Sequence, residues 1–172
     1  HRLSKKIKIN TDTEMMWNFF KKLENIKIKR LSKSKFDCNW HEATFVTLGS
    51  GFKAIADQFE VIQKVALTDI PHQPRPTVAG HGSDLILCEV DNKPVLFATG
   101  RVHLYEGHCA NDVVHLMRSV LSLGVSKAIV TNASGSLKRE ITPGTIALLS
   151  DHINATGQNC LIGTPSEWGE AF

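Results

Sequence analysis

Pro94-Val-Leu-Phe-Ala-Thr99, then a polar run, then Asn111 through Leu123-Gly124, then Lys127-Ala-Ile-Val-Thr131: this stretch decides the fold. Its two ends are short apolar runs of the kind that form buried strands. Asn111 is a good N-cap. Val113, Leu116, Val120 and Leu123 share one face of the helix that would follow, and Gly124 supplies its stop. Strand, helix and strand make a βαβ unit, which joins parallel strands by a right-handed crossover. Just upstream, Leu85-Ile-Leu-Cys-Glu-Val90 and Pro94–Thr99 flank Asp91-Asn92-Lys93, a tight turn that predicts an antiparallel hairpin. The expected class is α/β, with a mixed, largely parallel central sheet flanked by helices.

Working outward, Phe45-Val-Thr-Leu48 reads as a buried strand ended by Gly49-Ser50-Gly51, with a short helix to follow. Pro71, Pro74 and Pro76 make residues 71–80 a loop. Thr145-Ile-Ala-Leu-Leu-Ser150 reads as a further strand launched by Pro143-Gly144. Near the N-terminus, Thr11 and Glu14 fit a capping box. Met16, Phe19, Phe20 and Leu23 then mark one face of an amphipathic helix. The chain divides into a basic N-terminal segment, 1–40, and an α/β domain, 41–172.

The 172 residues carry a net charge of +3, unevenly spread. Residues 1–40 hold eleven Lys/Arg against four Asp/Glu, a net of +7, and the remainder carries −4. The basic segment reads as a solvated, partly helical arm. Nucleic-acid or membrane binding is the competing reading and rests on charge alone; neither partner is expected. The longest apolar runs, such as Ala128-Ile-Val130, are far too short to span a bilayer. No apolar h-region follows the basic start, so no secretory signal is expected. Cys38, Cys88, Cys109 and Cys160 are scattered and form no CxxC pair. That pattern suits free thiols in a reducing, cytoplasmic setting. His41, His72, His108, His115 and His152 lack metal-ligand spacing, so no metal is expected. GxSxG, the Walker A pattern, GxGxxG and HExxH are absent.

Chemistry gathers where strands end. In open α/β sheets, ligands bind outside the carboxyl ends of the strands. Three strands here run into polar or glycine-rich loops: Gly49-Ser50-Gly51, Gly100-Arg-Val-His-Leu-Tyr-Glu-Gly107 and Asn132-Ala-Ser-Gly-Ser136. Small residues let backbone N–H groups approach an oxyanion. Ser50 adds a hydroxyl donor, and Arg101 a planar fork of donors suited to phosphate oxygens. In an extended segment, His103 and Tyr105 fall on the same side as Arg101. Glu106 could orient a histidine or bond a sugar hydroxyl. Each residue alone has an ordinary structural explanation; their combination at three strand ends points to an oxyanion site.

Leu48-Gly-Ser-Gly51, Val78-Ala-Gly-His81, Gly100-Arg-Val-His-Leu-Tyr-Glu-Gly107, Val130-Thr-Asn-Ala-Ser-Gly135 and Ser150-Asp-His-Ile-Asn154 occur in that order. Together they resemble the trimeric, low-molecular-mass class of purine nucleoside phosphorylases, from Ala43 onward. The resemblance implies a three-layer fold and phosphorolysis of purine nucleosides to free base and (deoxy)ribose 1-phosphate. No metal or organic cofactor is implied; inorganic phosphate is a co-substrate. It implies phosphate binding by Ser50, His81, Arg101, His103 and the backbone N–H of Ala133. Tyr105, with Ala133, would contact the substrate, and His103 and Glu106 would serve catalysis. It also implies a homotrimer. Family members continue past the point where this chain ends, and that later part reads the purine, so the chain is expected to be an N-terminal portion. The alternatives are a methylthio-nucleoside phosphorylase of the same superfamily and an inactive or ligand-binding relative.

Overall fold

The computed structural model describes residues 39–75 and 84–162. The expected N-terminal helix, and with it most of the 1–40 segment, lies outside them. Five strands form one sheet: β1 (Thr44–Thr47), β2 (Val61–Ala66), β3 (Asp84–Val90), β4 (Lys93–Ala98) and β5 (Lys127–Val130). Their order is β2-β3-β4-β1-β5. β2, β3 and β4 are antiparallel neighbours, whereas β1 lies parallel between β4 and β5. The sheet is thus mixed, as the sequence implies. The strands of the βαβ unit are parallel but not adjacent, because β1 inserts between them.

The hairpin forms where expected. Val90 pairs with Lys93, and Asp91 and Asn92 close the turn with φ of 50° and 59°. Two positive φ angles in a two-residue loop match the twist of the flanking strands.

The helix after β4 departs from expectation in two ways. It begins at Cys109 rather than Asn111, and it is split into α1 (Ala110–Val113) and α2 (His115–Ser122). The Cys109 N–H donates to the Asp112 carboxylate at 3.2 Å, which moves the start two residues upstream. Val114 sits at φ −90° and ψ 0°, outside helical geometry. Val113 and Val114 are β-branched and stiff, which favours a break there. Past the end of α2, Gly124 has φ +103°, and a Cβ there would lie 3.0 Å from the His41 ring. The left-handed φ is what favours glycine, since the exposed His41 ring can turn aside.

Strand alternation sorts the core into two layers. Phe45, Leu85, Leu87, Leu96 and Ala98 face Leu116, Val120 and Leu123 of the helical layer, with Leu67 and Ile70. Each fully buried leucine or valine contributes roughly 1.5–3 kcal/mol. On the opposite face, Val46, Leu48, Ile86, Cys88 and Phe97 pack on Ala56 from the short 3-10 helix Lys53–Gln58. Phe59 stacks on Phe97 there with ring centroids 5.8 Å apart. Helical segments therefore cover both faces of the sheet, giving three layers.

The strand expected at Thr145–Ser150 does not form. These residues pair with no strand among the described residues, and an unpaired extended segment has no ladder to hold it. Ile146, Leu148 and Leu149 are exposed there. Conversely, β2 was not expected; it is an edge strand with a bulge between Val61 and Gln63. Cys88, Cys109 and Cys160 are free thiols. Burial pushes the Cys88 thiol above its ordinary value. Among the described residues, no helix is long and apolar enough to cross a membrane.

Candidate functional site

β4, β1 and β5 are consecutive parallel neighbours, so their carboxyl ends lie side by side at one edge of the sheet. The three loops singled out in the sequence leave from those ends. A threonine stands at or just past each one: Thr47, Thr99 and Thr131.

Thr131 joins the first and third loops. Its hydroxyl donates to the Thr47 carbonyl at 2.9 Å and accepts from the Gly49 N–H at 2.8 Å. Its own N–H also donates to the Thr47 carbonyl, at 3.0 Å. The approach is close: a Cβ on Gly49 would fall 2.7 Å from the Thr131 carbonyl oxygen and 2.9 Å from the Asn132 Cα. Glycine is needed at 49 for lack of space rather than for a special φ. Ser50, the next residue, is exposed.

The second loop meets the same point. Arg101 Nη1 donates to the Thr131 carbonyl at 3.1 Å, and Arg101 is half-buried. Val102 anchors the loop in the protein, 2 % exposed. His103 is extended, with φ −129° and ψ 157°, as the sequence implies. Beyond it, however, Leu104–Glu106 winds into a 3-10 turn. Tyr105 therefore does not continue the strand alternation. Its ring instead stacks on His103, with centroids 4.7 Å apart, and remains 72 % exposed.

The same turn brings Glu106 back to His103. One carboxylate oxygen, Oε1, accepts from the His103 backbone N–H at 2.9 Å and from its ring Nδ1 at 2.8 Å. The Glu106 side chain is fully buried, while that of His103 is 22 % exposed. A carboxylate can only accept, so Nδ1 carries the proton and Nε2 is the nitrogen at the far edge of the ring.

Ala133 is exposed in the third loop, near Asn132, whose carboxamide oxygen accepts from the Ser134 hydroxyl. Asn132 thus ties down its own loop. His81 lies outside the described residues. His108 and His115 donate to the carbonyls of Arg75 (3.2 Å) and Pro71 (3.0 Å), structural contacts that fit their lack of ligand spacing. The structure thus brings Gly49-Ser50, Arg101 and Thr131 to one place, with His103, Tyr105 and Glu106 following on Arg101's loop. Sequence reasoning puts Thr131 at a strand end, within the Val130–Gly135 motif, but gives it no role. The signal available is a threonine repeated at three strand ends, but Thr47 and Gly49, which its hydroxyl joins, lie more than eighty residues away in sequence.

A family model described as the phosphorylase superfamily matches residues 44–171. Purine nucleoside phosphorylase 1 of Geobacillus stearothermophilus is 40 % identical over 116 residues, covering 67 % of this chain and 42 % of the relative. Purine nucleoside phosphorylase 1 of Bacillus subtilis is 41 % identical over 126 residues, covering 73 % and 46 %. The crystal structure of Schistosoma mansoni purine nucleoside phosphorylase in complex with inosine superposes with a TM-score of 0.55 at 28 % identity, covering 76 % of this chain and 41 % of that one. The chain therefore spans less than half the length of the curated relatives it matches.

Proposed function

Because this chain belongs to the phosphorylase superfamily, we propose that its three strand-end loops hold inorganic phosphate for the phosphorolysis of a purine nucleoside. The products are free purine and (deoxy)ribose 1-phosphate. The observation that carries this reading is the meeting of the Gly49-Ser50 loop, Arg101 and the 131–133 loop at the carboxyl ends of three adjacent parallel strands. Ser50, Arg101, His103 and the Ala133 N–H are the phosphate donors in this proposal, together with His81. Tyr105 and Ala133 face the nucleoside. His103, held by Glu106, serves the chemical step.

The chemistry asks for little beyond placement and charge. As the glycosidic C–N bond lengthens, its electron pair leaves with the purine and the sugar becomes oxocarbenium-like. A phosphate oxygen then forms the new bond to the anomeric carbon. A phosphate dianion held beside that carbon both stabilises the developing cation and attacks it. The donor set suits this: an arginine fork, a hydroxyl, small-residue backbone N–H groups and a histidine whose ring is oriented by a buried carboxylate. The inosine-bound Schistosoma relative supports a purine nucleoside as substrate. A homotrimer and a cytoplasmic setting belong to the same proposal. The resemblance of the motifs to the trimeric class supports the first, and the free thiols support the second.

The test is release of hypoxanthine from inosine by the chain, with and without phosphate, beside Arg101→Ala and His103→Ala. The expected result is turnover that requires phosphate and falls by about 100-fold or more in both variants. Turnover indifferent to phosphate, or a folded chain that neither turns over inosine nor binds phosphate, overturns it.

A further inference from the structure

We propose that Thr131 is a positioning residue that holds two phosphate loops in register, an inference that rests on the phosphate-site reading above. The hydroxyl bonds in both directions: it donates to the Thr47 carbonyl and accepts from the Gly49 N–H. The Gly49 N–H it accepts belongs to a buried residue immediately before Ser50. The Thr131 carbonyl, on the same residue, takes the Arg101 guanidinium at 3.1 Å. One residue thus fixes the backbone that carries the serine hydroxyl and the side chain that carries the guanidinium fork.

Sheet pairing alone does not supply this. β1 and β5 pair as far as Thr47 and Val130, and the Thr131 N–H still bonds the Thr47 carbonyl, but the bond that reaches on to Gly49 comes from the Thr131 hydroxyl. Among the described residues little packs on the end of β5: Ile129 and Val130 are 54 % and 61 % exposed. Without the hydroxyl, the Gly49 N–H loses its acceptor; the segment before Ser50 keeps the bond from the Leu48 N–H to the Ala98 carbonyl but loses this link to the third loop. The Ser50 loop then samples positions in which Ser50 and Arg101 no longer converge, and phosphate binding must bear the cost of ordering it.

Thr131→Val keeps the branched shape and removes only the hydroxyl; Thr131→Ser keeps the hydroxyl. Inorganic phosphate is titrated into the folded 172-residue chain, read by amide shifts in NMR, with Arg101→Ala as the site control. Thr131→Val is expected to bind phosphate about tenfold more weakly, while Thr131→Ser restores binding to within about twofold. Thr131→Ala serves where the valine variant does not fold. Phosphate affinity in a folded hydroxyl-free variant within twofold of wild type overturns the role of Thr131 and leaves the site reading standing. Wild-type chain that binds no phosphate, or binds it equally well in Arg101→Ala, overturns the site reading and this inference with it.

Discussion

Glu106 takes two hydrogen bonds from His103 through a single carboxylate oxygen, one from the backbone N–H at 2.9 Å and one from ring Nδ1 at 2.8 Å. The pair acts as a clamp: the carboxylate is buried and the imidazole half-exposed, so the acid holds and the ring presents. The clamp fixes both the tautomer and the plane of the ring. Glu106→Gln keeps the shape and removes the charge. Phosphate binding is expected to weaken by about tenfold, and His103→Ala added to Glu106→Gln should cost less than it does in wild type. A double-mutant cycle on phosphate affinity measures this. Strict additivity would show that Glu106 acts independently of His103.

Much of the candidate site is legible because its residues sit in contiguous motifs. Arg101, His103, Tyr105 and Glu106 fall within six residues, and in open α/β sheets it is outside the carboxyl ends of the strands that ligands bind. What escaped reading depends on distance along the chain. The Thr131–Gly49 contact exists because β1 inserts beside β5, and no local pattern announces that neighbour. β2 escaped for another reason. Its Val61-Ile-Gln-Lys-Val-Ala66 lies at the sheet edge, half-buried and bulged, so it lacks clean alternation. The error at Thr145–Ser150 is the converse. An apolar, β-rich run has the right composition for a strand, but composition supplies no partner ladder.

Gly49 is the tightest point of the site. A methyl group there would meet two backbone atoms, the Thr131 carbonyl oxygen and the Asn132 Cα, neither of which can rotate away as a side-chain end could. Gly49→Ala must therefore push the loops after β1 and β5 apart. The expected loss of stability is about 1–3 kcal/mol, read from urea denaturation, together with weaker phosphate binding. An alanine variant of unchanged stability and affinity would show that the two loops are not in contact in solution.

The β3–β4 hairpin gives a test of the fold independent of the site. Asp91 and Asn92 both hold positive φ, a region that costs most side chains about 1–2 kcal/mol but suits asparagine and glycine. Asn92→Ala should lose about 1 kcal/mol, whereas Asn92→Gly should stay within about 0.5 kcal/mol of wild type. Chemical denaturation of the three proteins measures both. Equal stability of alanine and glycine at 92 would mean that the turn has a different geometry.

The start of α1 carries a pH signature. The Cys109 thiol bonds the Asp112 carboxylate, and the Cys109 N–H and the nearby His108 and His115 reinforce it, holding the Asp112 carboxyl below its ordinary value. A carboxyl lowered by folding stabilises the protein above its unfolded pKa of about 3.9, and that contribution disappears as pH falls through the lowered folded value. Asp112→Asn should therefore be less stable than wild type from neutral pH down to about pH 4. The difference should shrink toward zero at lower pH, where both side chains are neutral. Thermal melts of the two proteins at a series of pH values provide the comparison. A difference that stays constant through the acid range would assign the effect to packing at the helix start, and one that grows on acidification would reverse the sign of the linkage.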